Sequence, residues 1–255
     1  MYFLIDARKF ACSVFRELTA VSTAPSFSSD FGNSRLRTKK TSSKTARITA
    51  AIVRVTRENT PTLGIVTGHG ENLAEPIVKE LQKQFNIENI EIQEIEIPST
   101  INGIIIAGPT QDFTEREKFV IDQFIMRGGK VVALLDGISI DKNTLTTRAN
   151  NVSLNSILEA YGVKVNNDVV LDPSSNQILE FQTELFRIPF SYPPYPRIVG
   201  KGLNRESAIT EKIQALAVPF PSSLTLFDSA KKEKIEIFEL AKTTPSSFAL
   251  PGSQA

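Results

Sequence analysis

Three apolar runs organise the chain: GIVTGHGE at residues 64–71, GIIIAGP at 103–109 and GGKVVALLDG at 128–137. Each is short, rich in Ile or Val, and closes on glycine or a polar residue. Strands buried on both faces of a parallel sheet read this way. The pattern predicts core strands over Leu63–Thr67, Gly103–Ala107 and Lys130–Leu135. After Gly68–Gly70 it predicts a helix to about Phe85, with Glu71 in the first turn, where its charge suits the helix dipole. Pro76 either moves that helix start to Glu75 or kinks it.

Thr114 and Glu117 have the spacing of a capping box and open a second helix. Phe119, Val120, Ile121, Phe124 and Ile125 form its inner side, and Gly128–Gly129 stops it. Ile90–Ile97 alternates Ile with Glu or Gln, as an edge strand does. The link from there, Pro98–Asn102, is too short for a helical crossover. Either the crossover is abbreviated or the two strands are not neighbours.

Outside this block, Ala46–Arg57 places Ile48, Ala51, Ile52 and Val55 on one helix face. Val152–Tyr161 reads as a helix and Asp168–Leu171 as a strand. The stretch 190–197, FSYPPYPR, holds three prolines and is predicted not to be a central strand. Ile209–Leu216 reads as a short helix, Leu224–Phe227 and Ile235–Leu240 as strands. Residues 243–255 are Ser/Pro-rich and expected to fray. The fold class expected is α/β: a flavodoxin-like, doubly wound, mainly parallel sheet with a C-terminal β/loop elaboration. The expected division is a disordered basic segment over 1–45, the α/β domain over 46–240 and a flexible tail over 241–255.

Composition changes this picture little. With 255 residues, 41% hydrophobic and 22% charged, the chain can bury a real core. A net charge of +1 predicts no nucleic-acid partner. Residues 1–47 stand apart, with nine Lys or Arg, three Asp or Glu and thirteen Ser or Thr. A disordered tail, an organelle transit peptide and an artefact of the gene start all fit that composition. The one cysteine, Cys12, excludes an internal disulfide. No run reaches the ~20 apolar residues of a membrane helix. Any membrane contact is expected through an anchor or partner outside this chain.

Ligands of open parallel sheets bind at the carboxyl ends of the strands. The candidate rim is therefore Gly68, His69, Gly70, Glu71, Pro109, Thr110 and Asp136. His69, the one histidine, is a candidate base paired with Glu71 or Asp136, or a turn residue. The Gly68–Gly70 turn offers free N–H groups to an anion. It matches neither a Walker loop nor a dinucleotide fingerprint. Pro109 stands where a nucleophile elbow would need Cys or Ser, so no catalytic residue is assigned. No metal-ligand cluster or cofactor motif is found. Asp136 and Asp172 close strands, as cation ligands or as turn caps. Tyr192 and Tyr195 in the proline run suit a glycan or peptide contact, or simple packing over the sheet.

The ordered motifs resemble one family. They are TGHGE at Thr67–Glu71, IIIAGPTQDFTEREKFVIDQFIMRGGKVVALLDG at Ile104–Gly137 and LNSILEAYGVKVNNDVVLD at Leu154–Asp172. YPPYPRI at Tyr192–Ile198 and VPFPSSL at Val218–Leu224 follow. Together they are similar to the gliding-motility-type auxiliary or substrate-binding component of ABC transporters, over roughly residues 46–248. The resemblance implies a class I glutamine amidotransferase-like fold without the catalytic cysteine. It implies a non-enzymatic binding or scaffolding role beside an ABC permease and ATPase, on the extracytoplasmic side of the membrane. The same domain type resembles the N-terminal part of an intraflagellar transport protein, which implies the alternative of an intracellular assembly module. A hydrolase using His69 with Glu71 or Asp136 is the remaining alternative.

Overall fold

The buried Ile and Val runs become neighbouring strands of one sheet. The computed structural model describes residues 2–5, 60–92, 96–141, 146–182, 186–227 and 235–252. The predicted helix Ala46–Arg57 and all of segment 1–45 except 2–5 lie outside these residues. The first block runs β1 (Tyr2–Ile5), β2 (Thr62–Thr67), α1 (Glu75–Leu81), β3 (Asn86–Glu91), β4 (Ile101–Ala107), α2 (Glu115–Met126) and β5 (Lys130–Leu134). The strand order is β1-β5-β4-β2-β3. Strands β2 to β5 are parallel and β1 adds antiparallel to β5. The architecture is mixed α/β around a four-stranded parallel sheet.

Burial explains why these residues are strands. In β4 every residue except Asn102 is buried, which only a central strand with both faces covered requires. Alternation then splits the core. Ile105 and Ala107 join Leu63, Leu81, Phe85 and Val132 on the α1 face. Ile104 and Ile106 join Val120, Ile121, Phe124 and Leu158 on the other. Each fully buried aliphatic side chain contributes about 1.5–3 kcal/mol relative to exposure.

The strand expected over Ile90–Ile97 is β3, earlier and shorter, on the free edge beside β2. β3 and β4 are not neighbours: β4 pairs on the opposite side of β2. The short link therefore crosses over β2. Helix α1 begins at Glu75 with Pro76 in its first turn, so Glu71 lies outside the helix and its charge answers no dipole.

The second block holds β6 (Ile138–Ile140), β7 (Thr147–Ala149), α3 (Asn155–Ala160), β8 (Val163–Val165), β9 (Asp168–Leu171) and β10 (Asn176–Gln182). It continues with β11 (Arg187–Val199), β12 (Ala215–Ala217), β13 (Leu224–Leu226) and β14 (Phe248–Pro251). These form small antiparallel groups: β6–β7, β8–β13, β9–β14 and β10-β11-β12. Ile198, Leu203, Ile209, Ile213, Leu216 and Val218 make a separate core there.

Four expectations fail in this block. The proline run lies inside β11, a thirteen-residue strand and the middle one of its sheet. It is tolerated because the partners take different stretches: β10 pairs mainly with Arg187–Tyr192 and β12 with Arg197–Val199. Between them the prolines only accept. The carbonyls of Pro193, Pro194 and Pro196 receive the N–H groups of Asp172, Phe220 and Val218 at 3.0, 2.8 and 3.0 Å. The missing proline N–H is never called upon. Second, Ile209–Leu216 is not a helix. The Arg205 guanidinium takes the carbonyls of Glu211 and Ile213 at 3.0 and 2.8 Å, and the helical spacing of the apolar residues serves a looped core instead. Third, Ile235–Leu240 forms no strand. The chain there touches 202–204 through Asn204 N–H to the Leu240 carbonyl and Lys242 N–H to the Gly202 carbonyl, 3.0 and 2.8 Å. Fourth, the tail is tied down through residue 251. β14 pairs with β9, and Asp172, 1% exposed, anchors Thr244. Residues 253–255 lie outside the described set.

Candidate functional site

The chain order of the parallel strands reverses between β2 and β4, which makes the gap beyond their carboxyl ends the topological switch point of the sheet. The loop after β2 carries Gly68 to Glu71, and the loop after β4 carries Pro109 and Thr110. These loops are joined across the gap. The His69 carbonyl accepts the N–H groups of Thr110 and Gln111 at 2.8 and 3.0 Å. Asn72 N–H reaches the Ala107 carbonyl at 2.9 Å. Gly70 has φ +77°, and a Cβ there would meet Thr110 Oγ1 at 2.1 Å, so only glycine lets the loops come this close. The crevice that such sheets offer to ligands is closed here by main chain.

His69 lies beneath this closure. Its ring stacks on Phe113 with centroids 3.9 Å apart and planes 22° apart. Nδ1 faces Glu71 Oε1 at 3.5 Å and Nε2 faces Glu117 Oε2 at 3.3 Å. The Glu71 side chain is 1% exposed, and its other oxygen accepts the His69 N–H at 2.7 Å. Glu117 completes the predicted capping box with Thr114 and faces His69 at the same time. Burial pushes the Glu117 carboxyl up; the Thr114 N–H and hydroxyl, with His69, outweigh it and hold it below the usual carboxylate range. His69 thus faces a carboxylate from each ring nitrogen and Phe113 on one ring face.

The third loop joins the same rim. A Cβ at Gly108 would stand 3.9 Å from Asp136 Oδ2. A small pocket between the ends of β4 and β5 is lined by Pro109, Gln111, Asp136, Asn151 and Ser153 among others, and His69 is not in its wall. Asn151 Nδ2 donates to Asp112 Oδ2 at 2.7 Å and Ser153 Oγ accepts the Phe113 N–H at 3.1 Å. Thr110 and Asp136 are exposed. Asp172 lies away from this set, in turn contacts: it accepts from Ser174 N–H, Ser175 N–H and the Thr244 hydroxyl and N–H. Tyr192 packs edge-on against Phe190 and Phe220 at 6.2 and 6.0 Å. Burial raises its hydroxyl above the ordinary range. It and Tyr195 lie on β11, in the second block. Among the described residues no group of three or more His, Cys, Asp or Glu could hold a metal ion. No described helix is long and apolar enough to cross a membrane.

Sequence reasoning missed Phe113, Glu117, Asn151 and Ser153. Glu117 was visible only as a helix cap. That the helix would bring it to a histidine on another loop depends on the strand order.

A family model described as an ABC-type uncharacterized transport system matches residues 60–255. The chain belongs to this family. Family members are auxiliary components of transport systems. Among curated relatives, an uncharacterized protein of Borreliella burgdorferi is 28% identical over 167 residues, 62% of this chain and 31% of that protein. The human intraflagellar transport protein 52 homolog is 29% identical over 158 residues, 58% of this chain and 34% of that protein. The chain thus spans about a third of the length of these relatives. A solved structure, the mmIFT52 N-terminal domain, superposes with a TM-score of 0.45 at 22% identity, covering 75% of this chain and 86% of that one.

Proposed function

We propose that this chain is a non-enzymatic binding or scaffolding domain of an ABC-type transport system, of the gliding-motility auxiliary kind. It docks through the accessible part of the rim, Gly68, Gly70, Pro109, Thr110 and Asp136, with His69 and Glu71 buried behind it. The observation that carries this reading is the closed switch point. The family match supports a transport-system setting, and the crevice a small substrate would enter is filled by hydrogen bonds between the two loops. What remains outward is a surface suited to another protein: Thr110 and Asp136 are exposed beside Pro109. The partners proposed are the permease and ATPase subunits, with a glycan or peptide as further ligand, on the extracytoplasmic side of the membrane. For the fold, the strand order and the helices packed on both faces support a flavodoxin-like, doubly wound reading related to glutamine amidotransferase-like domains.

Co-purification with the cognate permease and ATPase from detergent extracts tests the proposal. Charge or size changes on the exposed rim, Thr110→Arg and Asp136→Arg, are expected to reduce recovery about tenfold, which corresponds to about 1.4 kcal/mol. Recovery equal to wild type for both would remove the rim as the docking surface. Hydrolytic turnover that vanishes in His69→Ala would favour the enzyme instead. The second reading, an assembly module, is favoured by the human intraflagellar transport relative. Association with a soluble complex in the absence of the transporter would select it.

A further inference from the structure

The buried Glu71 carboxylate presents an unusual demand. One oxygen accepts the His69 N–H, while Oε1 and the facing His69 Nδ1 have no hydrogen-bond partner of standard geometry. A buried carboxylate oxygen left without a proton donor loses its hydration with nothing in return. The groups that face the ring are Glu71 from its own loop, Glu117 from α2 and Phe113 from the loop before α2. Of the nearby cations on α2, Lys118 pairs with Glu115 at 2.7 Å and Arg116 lies over the Phe119 ring at 5.4 Å.

A neutral imidazole has one N–H and one bare nitrogen; only the imidazolium donates from both. Here each ring nitrogen faces a carboxylate oxygen. In either neutral tautomer a lone pair is set against an anion. With Nε2–H on Glu117, bare Nδ1 faces Glu71; with Nδ1–H on Glu71, bare Nε2 faces Glu117. Two protons satisfy both contacts.

We infer that Glu71–His69–Glu117 is a proton-dependent strap joining the β2 loop to the start of α2. Charged, the ring holds the loop against the helix, and with it the closure between His69 and Thr110. On losing a proton it sets one lone pair against a carboxylate, and the loop slackens. The strap bears on the geometry of the proposed rim, but it stands on the fold alone and survives if the docking proposal fails.

The test uses the full chain. Because His69 is the one histidine, its ring nitrogens are read without ambiguity by long-range nitrogen NMR. At about pH 5.5, both are expected to carry protons and to show contacts to the Phe113 ring. In thermal melts, His69→Gln is expected to lower Tm by about 2–4 °C more at about pH 5.5 than at about pH 8.5. Glu117→Gln keeps a residue type that serves in a capping box while removing the charge, and should shrink that pH-dependent gap. Tm gaps of equal size at both pH values, or a ring with one bare nitrogen across this range, would overturn the strap. Loss of docking with the NMR and melt signatures intact would sink only the rim proposal.

Discussion

The parallel sheet and the C-terminal antiparallel block hold themselves together by different means. In the first, stability is spread over a continuous apolar core. Ile104, Ile105, Leu63 and Val66 are all 0% exposed, and the loops merely follow the strands. In the second, the core is smaller, and most strands have only three or four residues and are pinned by particular polar groups. Asp172 gathers Ser174, Ser175 and Thr244; Asp168 takes the Ser223 N–H and hydroxyl at 2.7 and 2.6 Å; proline carbonyls serve the rest. The difference shows that diffuse apolar burial resists the loss of a polar contact, whereas a pinned block can be released at one carboxylate.

The sharpest test of the comparison is to remove core from the sheet. Ile105→Ala should destabilise the whole chain by about 3–4 kcal/mol in denaturant melts, the range for a buried Ile truncated to a cavity. A loss below about 1 kcal/mol would mean that the sheet is not the main core. Asp172→Ala comes next, at about 2–3 kcal/mol, because it strands several donors to one charged acceptor. Hydrogen exchange should show the effect concentrated in β9 and β14, with β4 unchanged; uniform loss of protection would erase the distinction between the blocks.

Asp172 also has a pH signature. Burial raises its carboxyl, but the Thr244 hydroxyl and N–H, with Ser175 and Ser174, outweigh this and leave it below the usual range. A depressed carboxyl stabilises above its unfolded value and loses that contribution as pH falls through the folded one. β14 protection should therefore fade with acid in wild type and be pH-insensitive in Asp172→Asn.

A smaller effect probes the joint at the rim. Gly70→Ala should cost about 1–2 kcal/mol by melts, from positive φ and the close approach of Thr110. Thr110→Ala should restore the steric part only. The smallest is Pro194→Ala, expected within about 0.5–1 kcal/mol because the carbonyl that binds Phe220 is retained. A larger loss would mean that the ring packs as well as accepts.

The core strands were legible because a strand buried on both faces has to be apolar throughout, as IIIA in β4 is. The Thr114–Glu117 cap was legible because its two bonds close within one helical turn, and both form. Ile209, Ile213 and Leu216 misled because helical spacing and a looped core both bury residues three or four apart. FSYPPYPR misled because a strand's need for donors depends on its neighbours, which pair with β11 mainly on either side of the prolines.

The sequence by itself determined which segments are core and where the sheet's carboxyl-end loops fall, since periodicity and turn chemistry act over a few residues. Only tertiary structure decided that the switch point is closed, that Glu117 reaches His69 and that Asp172 holds the tail. Those contacts join residues far apart in the chain. Strand order, not local preference, brings them within hydrogen-bond distance.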